Sequence, residues 1–91
     1  MGLRLKIIIN PSSGRETSLS DLDNVLMYLS GNGNLSRSDI CYTAGRYDAM
    51  NFAMNTDPSE YDAIVALGGD GTVNEVVTGM MKGGIDLPLA I

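Results

Sequence analysis

Residues 66–75 read ALGGDGTVNE, an acidic turn almost without side chains, set after an apolar run and before an amphipathic one. Gly68, Gly69 and Gly71 let a ligand approach the main chain closely and allow backbone angles closed to other residues. Thr72 and Glu75 stand at the Thr-x-x-Glu spacing of a capping box, which predicts that a helix begins directly after the turn. The free amides and dipole of such a helix start favour an anion, so the pattern suits a phosphate. Asp70 does not suit a bare phosphate, because like charges repel. Three roles stay open for it. It can hold a magnesium ion carried by a nucleotide, usually through water; it can orient a hydroxyl; or it can bond the turn's own amides, as in an Asx turn. The turn is not a Walker A loop, since no Gly-Lys-Ser/Thr follows, and it is not the dinucleotide fingerprint, whose glycines follow the first strand.

The elements around this turn repeat a strand–helix alternation. Leu3-Arg4-Leu5-Lys6-Ile7-Ile8-Ile9 alternates and then becomes wholly apolar, as a strand with a buried end does in a parallel sheet. It ends at the turn-forming Asn10-Pro11-Ser12-Ser13-Gly14. A helix is predicted over about 20–29, with Leu22, Val25, Leu26 and Leu29 on one face, Ser20 and Asp23 as a weaker cap, and Gly31-Asn32-Gly33 as its end. A second strand is predicted over 38–43 and a second helix over about 47–54, presenting Met50, Ala53 and Met54. The third pass has a strand over 61–67 and a helix over 73–82 with an apolar stripe of Val73, Val76, Val77, Met80 and Met81. Residues 87–91 begin a further strand. This spacing demands crossovers and predicts an α/β fold with a mostly parallel sheet. Ligands of such sheets collect beyond the carboxyl ends of the strands. The loops at 10–15, 43–46 and 68–72 share that edge.

Composition narrows the chemistry further. The chain has 91 residues, suited to one small domain, and 44% of them are hydrophobic. Six basic against eleven acidic side chains give a net charge of −5 with no histidine, which argues against a nucleic acid or an anionic membrane as a broad electrostatic partner. Cys41 is the only cysteine, so no intrachain disulfide forms and a soft-metal site lacks ligands. Hard cations remain open to Asp and Glu. The first residues run straight into a strand pattern without a secretory leader, and no stretch approaches the ~20 apolar residues of a membrane span. A cytoplasmic address is expected. Because the sequence stops within a strand, it is expected to be the first portion of a larger protein. Folded alone, it is expected to expose apolar sheet surface and to self-associate over it.

Asn10-Pro11-Ser12-Ser13-Gly14 and Gly68-Gly69-Asp70-Gly71-Thr72-Val73-Asn74-Glu75-Val76-Val77-Thr78-Gly79 together resemble the catalytic domain of the diacylglycerol kinase and bacterial lipid kinase family. That family is grouped with NAD kinases and sphingosine kinases. The resemblance spans essentially the whole chain. It implies a Rossmann-like, three-layer α/β/α N-terminal domain that carries nucleotide, followed by a β-rich domain that helps form the lipid site. It further implies transfer of the γ-phosphate of ATP to a lipid hydroxyl, such as that of diacylglycerol, with Mg2+.

On the matching positions, Asn10, Ser13 and Gly14 would line the nucleotide pocket, and Arg15 stands where Lys or Arg is common. Thr43 would contribute to the pocket wall, and Gly68, Gly69, Gly71 and Thr72 would contact phosphates. Asn74 and Glu75 would steady the helix start and pocket. Asp70 would be the catalytic residue, acting electrostatically or by positioning near phosphates and metal. No residue is assigned as a metal ligand.

The family's Pro-x-Gly-Thr-x-Asn-Asp segment and C-terminal carboxylates are not among these residues, so the lipid acceptor is expected to bind mainly elsewhere in the longer protein, whose contact with membrane would be transient. The chain alone is expected to be inactive. An NAD or sphingoid-base kinase-like enzyme, and a non-catalytic module binding nucleotide or a partner, are the alternatives. The Asn-Glu-Val-Val continuation favours the lipid kinase.

Other residues have plainer readings. Arg15 and Arg46 read equally as phosphate partners or surface charges, and Arg4 and Lys6 as solvated strand residues. Tyr42 and Phe52 read as packing residues, the methionines as core filler, and Cys41 as a small buried hydrophobe.

Overall fold

The computed structural model describes residues 2–11, 27 and 35–91. Strand β1 (Leu3–Ile9) lies where the alternating pattern predicts it. β2 (Leu35–Tyr42) begins three residues before the predicted strand. Helix α1 (Asp48–Met54), β3 (Ala63–Leu67), α2 (Asp70–Gly83) and a two-residue β4 (Leu89–Ala90) follow. The helix predicted over about 20–29, its Ser20–Asp23 cap and its Gly31-Asn32-Gly33 end lie outside the described residues, except that Met27 is helical and exposed.

Three parallel pairings join the strands in the order β2-β1-β3-β4. The fold is thus mixed α/β with a mostly parallel sheet, as the alternation requires. The period of two divides β1 between two cores. Leu5, Ile7 and Ile9 bury on one face with Val65 and Leu67. Ile8 faces the other side, where Ala49 and Ala53 of α1, Ile64 and Ala66 of β3, and Val76 and Met80 of α2 pack together.

The two helices approach each other closely because α2 presents glycine to α1. A Cβ built at Gly79 would stand 2.2 Å from the Met50 carbonyl oxygen and 3.0 Å from the Ala53 Cβ. One at Gly83 would stand 2.6 Å from the Met54 carbonyl oxygen. All three distances are inside van der Waals contact, so any side chain there must separate the helices. Gly84 then ends α2 in the left-handed region, at φ 64°.

Only part of the predicted apolar stripe on α2 is buried. Val76 is fully covered and Val73 packs against the same core, whereas Val77 is 38% and Met81 77% exposed. With Met80, Ile85 and Leu89 these two residues line an apolar groove of about 410 Å³ between α2 and β4. On the strands of the sheet, Leu3, Ile40 and Tyr42 are exposed as well. No helix among the described residues is long and apolar enough to cross a membrane.

Candidate functional site

The strand order determines where a ligand can enter. The chain leaves β1 toward β2 on one side and leaves β3 toward β4 on the other, so the connections diverge between β1 and β3. In open parallel sheets such a switch point leaves a crevice beyond the strand ends. Backbone hydrogen bonds continue the sheet into its rim: the Asn10 N–H donates to the Leu67 carbonyl at 2.9 Å and the Thr43 N–H to the Ile9 carbonyl at 2.8 Å. Asn10, Thr43 and the glycine turn are thereby fixed side by side. The cavity between them measures about 260 Å³ and is lined by Asn10, Thr43, Gly45, Ala49, Gly69, Gly71, Thr72 and Glu75.

The three glycines of the turn differ in purpose. At Gly68, whose φ is 158°, a Cβ would lie 2.5 Å from Thr72 Oγ1 and 2.8 Å from Thr72 Cβ, so a side chain is excluded by crowding. Gly69 has ordinary extended angles, φ −84° and ψ −174°. A Cβ at Gly69, Gly71 or Gly45 would meet no atom within 4 Å. These last three line the cavity, so their missing side chains leave open space against bare main chain. The sequence-based expectation of unusual backbone angles therefore does not hold for Gly69; its glycine character leaves access instead.

The helix starts earlier than the capping-box spacing predicts. Gly69 is the N-cap of α2, Asp70 opens it, and no side chain caps it. The Thr72 and Val73 amides donate to the Gly69 carbonyl at 3.0 and 3.2 Å. Helix geometry leaves the Asp70 and Gly71 amides without a carbonyl inside the helix, available to an anion at the end where the dipole favours one. Asp70 is exposed in this first turn, and Asn74 is exposed one turn further on. Thr72 is only 5% exposed and accepts a hydrogen bond from Asn10 Nδ2 at 3.2 Å, joining the end of β1 to the start of α2.

Glu75 caps, but it caps the other helix. Its Oε2 accepts the Tyr47 N–H at 3.3 Å and its Oε1 the Met50 N–H at 3.4 Å, so its carboxylate meets the start of α1. Asp48 secures the preceding loop, where its Oδ2 accepts the Ala44 and Gly45 amides at 2.7 and 2.9 Å. Between these two carboxylates Tyr47 is held left-handed at φ 70°, the only described non-glycine residue with positive φ. Sequence reasoning placed Gly45 in the 43–46 loop at the ligand edge without giving it a role, and it missed Tyr47 and Asp48. The Gly-x-x-Asp spacing from Gly45 to Asp48 was the available signal, since Asp readily binds amides within its own loop.

Of the other residues singled out from the sequence, Ser13, Gly14 and Arg15 lie outside the described residues. Arg46 is exposed with its guanidinium 4.8 Å from the Tyr47 ring centroid. Tyr42 is exposed rather than packed, whereas Phe52 packs on the core. Cys41 is half-buried, and burial raises its thiol pKa, which disfavours the thiolate. No group of three His, Cys, Asp or Glu side chains able to hold a metal occurs among the described residues.

The arrangement of main-chain donors, a glycine floor and short polar side chains at a strand switch point suits a phosphate-bearing ligand. Comparison with known proteins agrees with that chemistry. The family model for the diacylglycerol kinase catalytic domain matches residues 4–91. The chain is 42% identical over 77 residues to the diacylglycerol kinase of Bacillus subtilis (strain 168), covering 85% of this chain and 25% of that protein. It is 38% identical over 82 residues to the diacylglycerol kinase of Staphylococcus saprophyticus, covering 90% and 26%. A crystal structure of a diacylglycerol kinase from Bacillus anthracis superposes with a TM-score of 0.75 at 27% identity, over 94% of this chain and 30% of that one. The chain thus spans about a quarter of the length of the curated relatives it matches. It belongs to the diacylglycerol kinase catalytic domain family.

Proposed function

We propose that residues 1–91 form the N-terminal, nucleotide-binding part of a diacylglycerol kinase-like catalytic domain. The longer protein transfers the γ-phosphate of ATP to a lipid hydroxyl such as that of diacylglycerol. The observation that carries this reading is the open glycine floor at Gly69 and Gly71, where a Cβ would meet no atom within 4 Å and bare main chain borders the cavity. The Asp70 and Gly71 amides receive phosphate oxygens at the positive end of α2. Asn10, Thr43 and Thr72 supply short polar walls, and Gly68 keeps the turn tight. Ser13, Gly14 and Arg15 complete the nucleotide loop in this reading, and Asn74 steadies the start of α2.

Phosphoryl transfer rests on placing phosphates and acceptor and on neutralising charge. Mg2+ arriving with the nucleotide supplies part of that neutralisation. Asp70 is the carboxylate beside the phosphates and acts by positioning or electrostatics. The lipid binds mainly to parts of the protein beyond these residues, from the cytoplasmic side. The isolated chain binds nucleotide without turning over.

Two measurements test this. The longer protein should transfer radiolabel from γ-labelled ATP to diacylglycerol, and Asp70→Asn should lower kcat by about 100-fold, the scale of one electrostatic group in a preorganised site. Absence of transfer to any lipid would overturn the lipid-kinase reading. Full activity in Asp70→Asn would remove Asp70 from the chemistry.

A further inference from the structure

We infer that Glu75 is the positioning residue that locks the second rim loop, residues 43–47, over the phosphate turn. It does so by holding Tyr47 in its left-handed conformation. This deepens the nucleotide-binding reading and rests on it. The carboxylate stands one turn into α2 yet bonds two amides of α1, Tyr47 N–H through Oε2 and Met50 N–H through Oε1. One side chain therefore joins the two halves of the cavity, and it lines that cavity together with Thr43 and Gly45.

The join has a strained partner. A bulky non-glycine residue at φ 70° and ψ 0° persists only where its surroundings hold it. Asp48 fixes the Ala44 and Gly45 amides, which sets the loop before Tyr47. Glu75 fixes the amide of Tyr47 itself. The carboxylate has two acceptor oxygens and both are used, so an isosteric amide, with one neutral acceptor oxygen, loses one of the two bonds and weakens the other. That loss frees Tyr47 to relax toward negative φ and displaces the stretch 44–46 that carries Gly45, while Thr43 stays held by its bond to the Ile9 carbonyl. Asparagine tolerates the left-handed region far better than tyrosine, so Tyr47→Asn removes the need for the hold.

The test compares the wild-type chain, E75Q, and E75Q combined with Y47N, by ATP titration, amide hydrogen exchange and thermal melting. E75Q should weaken ATP binding by about tenfold, the effect of one hydrogen bond to a charged acceptor. It should speed exchange at the Tyr47 and Met50 amides while leaving β1 amides near wild type and lowering the melting point by only a few degrees. Adding Y47N should restore most of the affinity and slow exchange again, which a merely stabilising role for Glu75 would not produce. Unchanged exchange at Tyr47 and Met50 in E75Q, or no rescue by Y47N, overturns the inference. Failure of the wild-type chain to bind ATP would instead overturn the nucleotide reading, and the exchange comparison would still decide whether Glu75 holds the loop.

Discussion

The two ends of the parallel sheet are built from opposite materials. At the amino-terminal end of the strands long side chains pair with one another, around a cavity of about 410 Å³ lined by Gly2, Arg4, Ser36 and Asp62. Arg4 donates to Asp62 from its backbone N–H at 2.8 Å and from Nη2 at 3.1 Å, and its Nη1 reaches the Ser59 carbonyl at 3.0 Å. Arg37 bridges Asp39 at 2.8 Å and Glu60 at 3.3 Å. Tyr61, 8% exposed, donates its hydroxyl to Asp39, with the Arg37 guanidinium 5.1 Å and the Lys6 ammonium 5.8 Å from its ring centroid. At the carboxyl-terminal end the rim is glycine, backbone amide, short polar side chains and the Glu75 carboxylate, with open space where the Cβ atoms of Gly45, Gly69 and Gly71 would stand. One end has satisfied its charges internally. The other presents main-chain donors outward, and the proposed binding end rests on that contrast.

The difference can be broken by substitution, and the largest effect lies beneath both ends. Gly79→Val drives a side chain into the Met50 carbonyl, which a Cβ alone would already approach to 2.2 Å. It should cost about 3 kcal/mol or more and lower the melting temperature by more than about 12 °C, read by circular dichroism. Within the binding end, Gly68→Ala and Gly69→Ala should separate stability from function. The first collides with Thr72 and should cost about 1–3 kcal/mol. The second meets no protein atom, so the melt should stay within about 0.5 kcal/mol of wild type while ATP affinity falls. Equal melting losses in the two variants would contradict the division of roles.

At the ion-paired end, Tyr61→Phe deletes the hydroxyl that donates to Asp39. A loss of about 1 kcal/mol is expected on urea unfolding, with ATP binding untouched. The same end should give the molecule its pH dependence, although the exposed ion pairs contribute weakly. The Tyr61 hydroxyl and Arg37 hold the Asp39 carboxyl below its ordinary value, and Arg4 does the same for Asp62. A depressed folded-state pKa gives stability that is present above the unfolded value of about 3.9 and is lost as the pH falls through the folded value. Burial, and then the bond to Asp39, push Tyr61 up to about 12. Its contribution is complete below the unfolded value of about 10 and is lost as the pH rises toward about 12. Melting temperatures should therefore fall below about pH 4 and above about pH 10, and Tyr61→Phe should flatten the alkaline fall.

Much of the fold was legible from periodicity. The wholly apolar end of β1 and the alternation of passes sufficed for a mostly parallel sheet, because a strand buried on both faces needs no polar positions. The limits of α2 were not legible. Gly69-Asp70-Gly71 has low helix propensity, yet the first turn needs few intrahelical bonds, and the helix extends through it from Gly69. The Thr72–Glu75 spacing fits a capping box, but Glu75 faces α1, and only the packed position of that helix decides which amides the carboxylate meets. Arg4 and Lys6 looked solvated because their partners, Asp62 and Tyr61, are more than fifty residues away in sequence. Strand order, and hence the crevice between β1 and β3, is likewise a property of long-range pairing. The site's residue types were readable; their assembly was not.

The central claim is that the glycine-lined end binds nucleotide phosphate through its main chain and the ion-paired end does not. An ATP titration followed by 1H–15N correlation spectra addresses it residue by residue. Saturable shifts are expected at the amides of Asn10, Thr43, Gly69, Asp70, Gly71 and Thr72, with Arg4, Asp39 and Asp62 unmoved. Shifts confined to the Arg4–Asp62 end, or no saturable shift at Gly69 and Gly71, would contradict it.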